Sequence, residues 1–498
     1  MAFAQLVHAE WTKFRSVRGW LGGSAVAAAM IVLFAVLTGA GATADGARAV
    51  PVGPHGGPVS DGFYFVHQPL DGDGSITVDV TSLTTVIAAE RGGTVPWAKA
   101  GLIIRAGAGP GSSYAAVMVT GGHGVRMQHD YIHDHAGPVS AAGPRRLRLT
   151  RSGDTITGEV STDGTRWTPV ATVRLAGLPA TVQAGLFVAC PNAVDGNGTV
   201  PAAATAVFGR PELRGQWPQG SWDAEQVGAD TATFGGYPPV PTGGAVDVHG
   251  PRMTGASTPT GDGFTVTGAG DIAPATRSEI PAGGVAGDLL FGAFPALIAL
   301  CVIGALFITT EYRHALIGTT LTAFPHRTPV LAAKAIVLGV VTFLTSLPAI
   351  ALALPVGARI ARAQGLYLFP VTTATAVRVA VGLAALLALT AVFALGVGTV
   401  LRRSASAVTT VVVALVLPHL LVLTPILPAA VQRWLTLVTP DAAFAVQQTV
   451  VAYPHVDGVY TPANGYYPLG PLPGLAVLCG YAAVALGLAA VLLRRRDA

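Results

Sequence analysis

The sequence predicts an α-helical polytopic membrane protein of six transmembrane helices, with an all-β extracytoplasmic sandwich inserted after the first helix. Three observations carry that prediction. Only 11% of the residues are charged and 51% are hydrophobic, whereas soluble domains average about 25% charged residues. Six apolar segments are each long enough to cross a bilayer, which takes about 20 residues of helix. Between the first and second of these lie residues 45–285, polar and rich in Gly and Pro, where the hydrophobic period changes from helical to strand-like.

Residues 1–20 come first. Phe3, Leu6, Val7, Trp11, Phe14 and Val17 recur at helical spacing, with Glu10, Lys13 and Arg15 between them. The pattern predicts an amphipathic helix able to lie in the membrane interface. The first span is expected at 21–42. Ala40-Gly41-Ala42 has the small-x-small form of a signal-peptide cleavage site, but the apolar run before it is too long for a usual h-region. The other spans are expected at 287–309, 331–356, 378–401, 406–427 and 472–493.

Lys13, Arg15 and Arg18 precede span one, Arg313, Arg327 and Lys334 flank the loop after span two, Arg402 and Arg403 follow span four, and Arg494, Arg495 and Arg496 close the chain. Six spans put all of these on one side. By the positive-inside rule that side, with both termini, is cytoplasmic, and residues 45–285 are extracellular. Arg359, Arg362, Arg378 and Arg433 fall on the outer side, where they can snorkel to headgroups.

Within the insert, short runs alternate with turn signals. Strands are expected at Ser75–Val80, Ala100–Arg105, Tyr114–Val119, Arg146–Thr150, Thr155–Val160 and Val182–Val188, with turns at Gly72-Asp73-Gly74, Ser152-Gly153-Asp154 and Thr162-Asp163-Gly164. This spacing predicts an antiparallel sandwich over 45–212. Residues 213–285 are richer in Pro and Gly and read as a stalk or small β subdomain.

Several residues invite a chemical reading. His123 to His135 reads HGVRMQHDYIHDH. In an extended strand alternate side chains share a face, so His129, His133 and His135 would converge with Tyr131. Such a group, with Asp130 or Asp134, suits a zinc ion. A solvated strand edge explains the same residues without a ligand, and Tyr131 or Trp97 alternatively offers a platform to a sugar. No metal site is firmly indicated. The acids Asp71, Asp73, Asp154, Glu159 and Asp163 mostly fall in turn signals, which disfavours a two-carboxylate hydrolase.

The three cysteines have no metal or obvious disulfide spacing and read as packing residues. A net charge of +4 with the basic residues at helix ends gives no basis for nucleic-acid binding. His419, beside Pro418, is the one ionisable residue expected in the middle of spans two to five, which argues against an ion-coupled carrier. The chain has no G-x-x-x-x-G-K-[ST] loop, so no ATP site of that kind is expected in it.

Two stretches of the chain resemble known families. "GDGSITVDV", "WAKAGLIIRAG", "RRLRLTRSGDTITGEVSTDGTRWTPV" and "VQAGLFVAC" resemble, in that order, a concanavalin-A-like lectin/glucanase domain over about residues 58–212. The resemblance implies a jelly-roll fold, and that fold hosts many functions. "LVHAEWTKFRSVRGW", "TTEYRHALIGTTLTAFPHRTPVLAAKA", "LRRSASAVTTVVVALVLP" and "RWLTLVTPDAAFAVQQT" resemble actinobacterial ABC-2-type permease subunits, over residues 1–42 and 286–498.

That second resemblance implies an interfacial elbow at the N-terminus and a cytoplasmic coupling loop at 310–328. Its contact residues for an ATPase would be Glu311, Tyr312, Arg313, Leu316, Phe324 and Pro325. It also implies a separate ATPase subunit that holds the ATP and Mg, a homodimer or heterodimer with a second permease, and a bacterial plasma-membrane location. The large insert departs from the short first outer loop of many such permeases. A membrane-anchored glycan or cell-wall sensor is the alternative function, and a hydrolase built on the insert is a further one.

Overall fold

A computed structural model describes residues 3–41, 50–87, 93–137, 145–218, 220–228, 255–280, 283–314, 326–424 and 426–495. The chain divides into two compact units. The first is residues 1–47, 282–451 and 460–498, and the second is residues 48–281 with 452–459.

The first unit is helical. Its elements are α1 (Phe3–Ser16), α2 (Arg18–Ala40), α3 (Ala286–Leu289), α4 (Ala293–Arg313), α5 (Arg327–Ala363), α6 (Thr373–Leu401), α7 (Ser404–Leu423), α8 (Ala429–Val438) and α9 (Pro471–Arg495), with a 3-10 segment at Pro440–Gln447. Six of these helices, α2, α4, α5, α6, α7 and α9, are long and apolar enough to cross a membrane. They match the six expected segments to within a few residues, except that α5 has 37 residues and carries Pro348 and Pro355 inside it. At 1.5 Å per residue it is about 55 Å long, so its ends outrun a hydrocarbon core of about 30 Å.

Helix α6 packs against α4, α5, α7 and α9, and Leu383, Leu387, Ala391, Ala394 and Leu395 on it are fully buried. Glycine lets these helices approach closely. A Cβ on Gly304 of α4 would lie 2.4 Å from the Ala391 carbonyl oxygen, and one on Gly474 of α9 would lie 2.2 Å from that of Ala442. Large apolar side chains point away from the bundle on its peripheral helices, among them Leu33 on α2, Leu344 on α5, Leu417 on α7 and Val484 on α9. Cys301 is buried, as expected of a packing residue, whereas Cys479 is exposed on α9.

The second unit is a β domain built around one long strand. Its strands are β1 (Val59–Asp61), β2 (Phe63–Ile87), β3 (Lys99–Arg105), β4 (Tyr114–Thr120), β5 (Val125–His129), β6 (His133–Ala136), β7 (Arg145–Ser152), β8 (Thr155–Ser161), β9 (Thr168–Arg174) and β10 (Thr181–Ala189). They continue through β11 (Ala193–Asp195), β12 (Gly198–Val200), β13 (Ala202–Phe208), β14 (Glu212–Gln216), β15 (Asp223–Val227), β16 (Ala256–Thr260), β17 (Gly263–Gly268) and β18 (Ile272–Pro274). Residues 212–268 thus supply strands to the same domain, β14 and β15 pairing with β2 and β17 with β13.

Gly72-Asp73-Gly74 is not a hairpin turn. Strand β2 runs through it, changing partner from β10 at Asp71 to β7 at Gly74. Gly72, at φ 67°, takes a conformation that a side chain would oppose, and there the strand passes from one layer to the other. The expected turns at 152–154 and 162–164 do form, between β7 and β8 and between β8 and β9. In the second of these, Asp163 accepts the backbone N–H groups of Thr165 and Arg166, which hold its carboxyl far below the usual range.

The core between the layers joins Val66, Leu102, Ile104, Val117 and Leu186 to Ile76, Val78, Leu147, Leu149 and Ile156. A second apolar cluster covers the opposite face of β2, β3, β4 and β10 with Phe63, Phe65, Ile103, Tyr114, Tyr131 and Phe187. Strand β3 is therefore buried along its whole length. Its two ends are charged, and each charge is paired. Arg105 reaches Asp61 through both terminal nitrogens, at 3.0 and 2.7 Å. Lys99 Nζ donates to Asp271 Oδ1 at 2.5 Å.

Candidate functional site

In the helical unit, Glu311 lies near the end of α4 but turns inward. Lys334 Nζ of α5 donates to Glu311 Oε1 at 2.6 Å and to Glu10 Oε2 of α1 at 2.8 Å. Lys13 Nζ lies 3.3 Å from both carboxylates. The Lys334 side chain is fully buried, and its ammonium also sits 5.1 Å from the centroid of Phe307. Two carboxylates and two ammonium groups thus close into one network that fastens α1 to α4 and α5.

Glu10 follows from the helix period. The face that buries Leu6 and Phe14 also buries Glu10, and a buried carboxylate requires a partner. Next to this network the guanidinium of Arg402 lies 5.1 Å from the Tyr312 ring centroid, while Arg313 is exposed. Of the residues expected to meet an ATPase, Leu316, Phe324 and Pro325 lie outside the described residues.

In the β domain, the structure brings the histidines together and separates them from Tyr131. His129 and His133 are cross-strand partners in the β5–β6 hairpin. Their rings stack 4.3 Å apart, with His135 at 5.5 Å from His129 and His55 at 5.3 Å from His133. Burial, then the neighbouring His129 and His55, hold His133 below its ordinary pKa. Among the described residues no three His, Cys, Asp or Glu side chains are arranged to hold a metal ion. Asp134 is engaged instead by Arg126 and Gln128.

Tyr131 departs from the extended-strand expectation because the chain turns there. Asp130 and Tyr131 both have positive φ, 48° and 71°, which is uncommon away from glycine. The loop is held by three contacts. Asp130 Oδ1 accepts from Ser113 Oγ at 2.5 Å, the Tyr131 hydroxyl donates to the Ser112 carbonyl at 3.1 Å, and His455 Nε2 donates to the Tyr131 carbonyl at 3.1 Å. Tyr131 is fully buried, and burial with the nearby Asp61 carboxylate pushes its pKa well above the ordinary value. Trp97 is 3% exposed and stacks on His123 at 4.0 Å. Neither ring offers an open face to a sugar, which corrects the platform expected at both.

His455 lies in the segment 452–459, which belongs to the β domain although it follows the helical unit in sequence. Burial holds its imidazole below the ordinary pKa, against the opposing effect of the Tyr131 carbonyl. A histidine depressed in the folded state binds its proton more readily when unfolded. Stability is therefore complete above about pH 6.5, the unperturbed value, and falls as pH drops below it. A scan of unfolding temperature from pH 8 to pH 5 is expected to show this loss, and His455→Gln is expected to reduce it. A variant with an unchanged pH profile would remove His455 as its source.

No protein-family model matches the chain, and no curated protein matches it. Among solved structures it is similar to a functionally unknown protein from Saccharomyces cerevisiae, with 14% identity, 36% of this chain and 87% of that chain covered, and a TM-score of 0.22. It is also similar to SCP-B, a member of the eqolisin family of peptidases solved in complex with the tripeptide Ala-Ile-His. There the identity is 10%, with 42% of this chain and 98% of that chain covered and a TM-score of 0.24. Likenesses this loose carry no argument about activity.

Proposed function

We propose that the chain is the membrane-spanning permease subunit of an ABC-type exporter. It forms half of a dimeric translocation pathway and is powered by a separate ATPase subunit that holds the ATP and Mg. The β domain, a concanavalin-like jelly roll in this reading, stands outside a bacterial plasma membrane, and both termini lie in the cytoplasm.

The observation that carries the proposal is the network of Glu10, Lys13, Glu311 and Lys334, which closes on the fully buried Lys334 side chain. A subunit driven from outside needs a stiff element where the driving motion enters, and packed elements transmit such motion as rigid-body shifts. The network makes the interfacial helix and the ends of α4 and α5 one such element, and the segment 315–325 connects the two helix ends. The apolar faces of α2, α7 and α9 suit lipid and a second permease copy.

The test is affinity purification of the tagged full chain from its host in mild detergent, with mass spectrometry of what accompanies it. A stoichiometric P-loop ATPase is expected. It should be lost on reversing the exposed charge in Arg313→Glu, with the unfolding temperature unchanged. A folded preparation without any ATPase would overturn the reading.

A further inference from the structure

Helix α8 is amphipathic, but its polar stripe is turned into the protein. Gln432 and Thr436, one turn apart, are 2% and 0% exposed. Val431, Trp434, Leu437 and Val438 lie on the other side and face outward, Trp434 with 58% of its surface exposed. A helix on a water-soluble surface shows the opposite arrangement. The reason lies at the end of α7. Gln432 Nε2 donates to the carbonyls of Thr424 and Leu427, at 2.9 and 3.2 Å, just beyond the last turn of that helix. Thr436 and Thr439 donate their hydroxyls to carbonyls of α8 itself, at Gln432 and Leu435. These polar side chains are satisfied inside the protein, which leaves the apolar stripe as the outward one.

Two contacts fix how far α8 reaches along the apolar helices. At its end, the Val438 carbonyl accepts from the Tyr481 hydroxyl of α9 at 3.0 Å. Just beyond, in the 3-10 segment, Asp441 Oδ1 lies 2.7 Å from Nδ1 of His419, which stands within α7 before its end at Leu423. Helix α9 closes on Arg494 and Arg495, whose charged heads belong at a membrane surface. Tyr481 stands about 18 Å from Leu493, at 1.5 Å per residue. Against a hydrocarbon core of about 30 Å, the end of α8 therefore lies about 12 Å below the opposite surface. Its start lies near that surface, because Gln432 bonds the end of α7.

We propose that α8 dips into one leaflet of the membrane and that its Val431, Trp434, Leu437 and Val438 face is a docking surface for lipid acyl chains. At that depth a segment is stable only with its polar groups satisfied internally, and the inner stripe of α8 meets that demand. The outer stripe is at home against lipid, whereas water would penalise it by about 25 cal/mol per Å² of apolar surface. Leu417 and Leu420 of α7 and Ile426 in the link that follows it are exposed as well, so the outward apolar positions run from α7 into α8. Arg433 is the one charged residue of α8, and its long stem lets the head reach the surface. The proposal requires that the apolar helices cross a membrane and is independent of the transport reading.

The test is electron paramagnetic resonance of the full chain, spin-labelled at a single cysteine and reconstituted in phosphatidylcholine vesicles. Cys190 and Cys301 are buried and Cys479 is exposed, so the background is Cys479→Ser. Labels are placed through Val431→Cys, Trp434→Cys and Val438→Cys, outward positions whose replacement leaves the inner stripe intact. Dissolved oxygen concentrates in hydrocarbon and a nickel chelate in water. Oxygen is expected to collide more often than nickel with the labels at Trp434 and Val438, and the oxygen-to-nickel ratio is expected to rise from Val431 to Val438 as α8 descends. Should Trp434→Cys fail to fold, the two valine positions decide. Nickel reaching the Val438 label more often than oxygen would put the face in water. A label shielded from both reagents would put protein there, a second copy included. A ratio that stays level or falls along the helix would deny the descent. Each of these three results would overturn the proposal.

Discussion

Replacing Lys334 by methionine is expected to destabilise the helical unit by about 3–5 kcal/mol, the cost of leaving buried charges without their partner. Two carboxylates depend on this one ammonium, Glu10 at 2.8 Å and Glu311 at 2.6 Å. Lys13 cannot take its place, because it sits 3.3 Å from each and its side chain is 44% exposed. The measurement is thermal unfolding of the purified full chain in detergent, followed by tryptophan fluorescence. A triple variant, Lys334→Met with Glu10→Gln and Glu311→Gln, should recover most of the loss, because neutral partners leave no charge stranded. An unfolding temperature unchanged in Lys334→Met would mean that water already reaches the site.

The second large effect is expected in the β domain. Arg105→Met should cost about 3–5 kcal/mol there. The Arg105 and Asp61 side chains are both fully buried. The guanidinium also donates to the carbonyls of Gly107 and Gly109, while Asp61 Oδ2 additionally accepts the Gly111 N–H. Removing Arg105 strands a carboxylate and two carbonyls together. Arg105→Lys should fall between, since an ammonium keeps the charge but not the planar fork. Unfolding monitored at the β-domain tryptophans checks this, and a conservative lysine variant as damaging as methionine would show that charge is not what matters.

The six long apolar helices were legible because a segment able to cross a bilayer needs a length and a composition that can be read directly from the chain. The strands were legible where one face is buried and the other is not, as in β7, whose Leu147 and Leu149 alternate with half-buried residues. The passage of β2 between layers was not, because a Gly-Asp-Gly sequence has the same composition whether it reverses a chain or bends one. Tyr131 was misplaced for a related reason: strand alternation was applied across a turn held by two non-glycine residues at positive φ.

The ion pairs were hidden by distance along the chain. Lys334 meets Glu10 across 324 positions, and no local pattern records such a meeting. One signal was available. The chain has three lysines, Lys13, Lys99 and Lys334, and all three are paired with carboxylates. His419 was visible as an oddity in its span. Its partner Asp441 was not, because it lies beyond the end of that helix, in a 3-10 segment.

The segment 452–459 has a consequence for how this molecule can be cut and rebuilt. Because those residues belong to the β domain, the chain crosses between the units four times, not twice as an insertion between two neighbouring spans would require. The β domain is therefore not a cassette. A recombination event or a cloning step that exchanges residues 48–281 alone leaves His455 and its neighbours facing a surface to which they were never fitted. Any history that swaps this domain between membrane proteins has to change two separated stretches together, and a chimera that carries both is the one expected to fold.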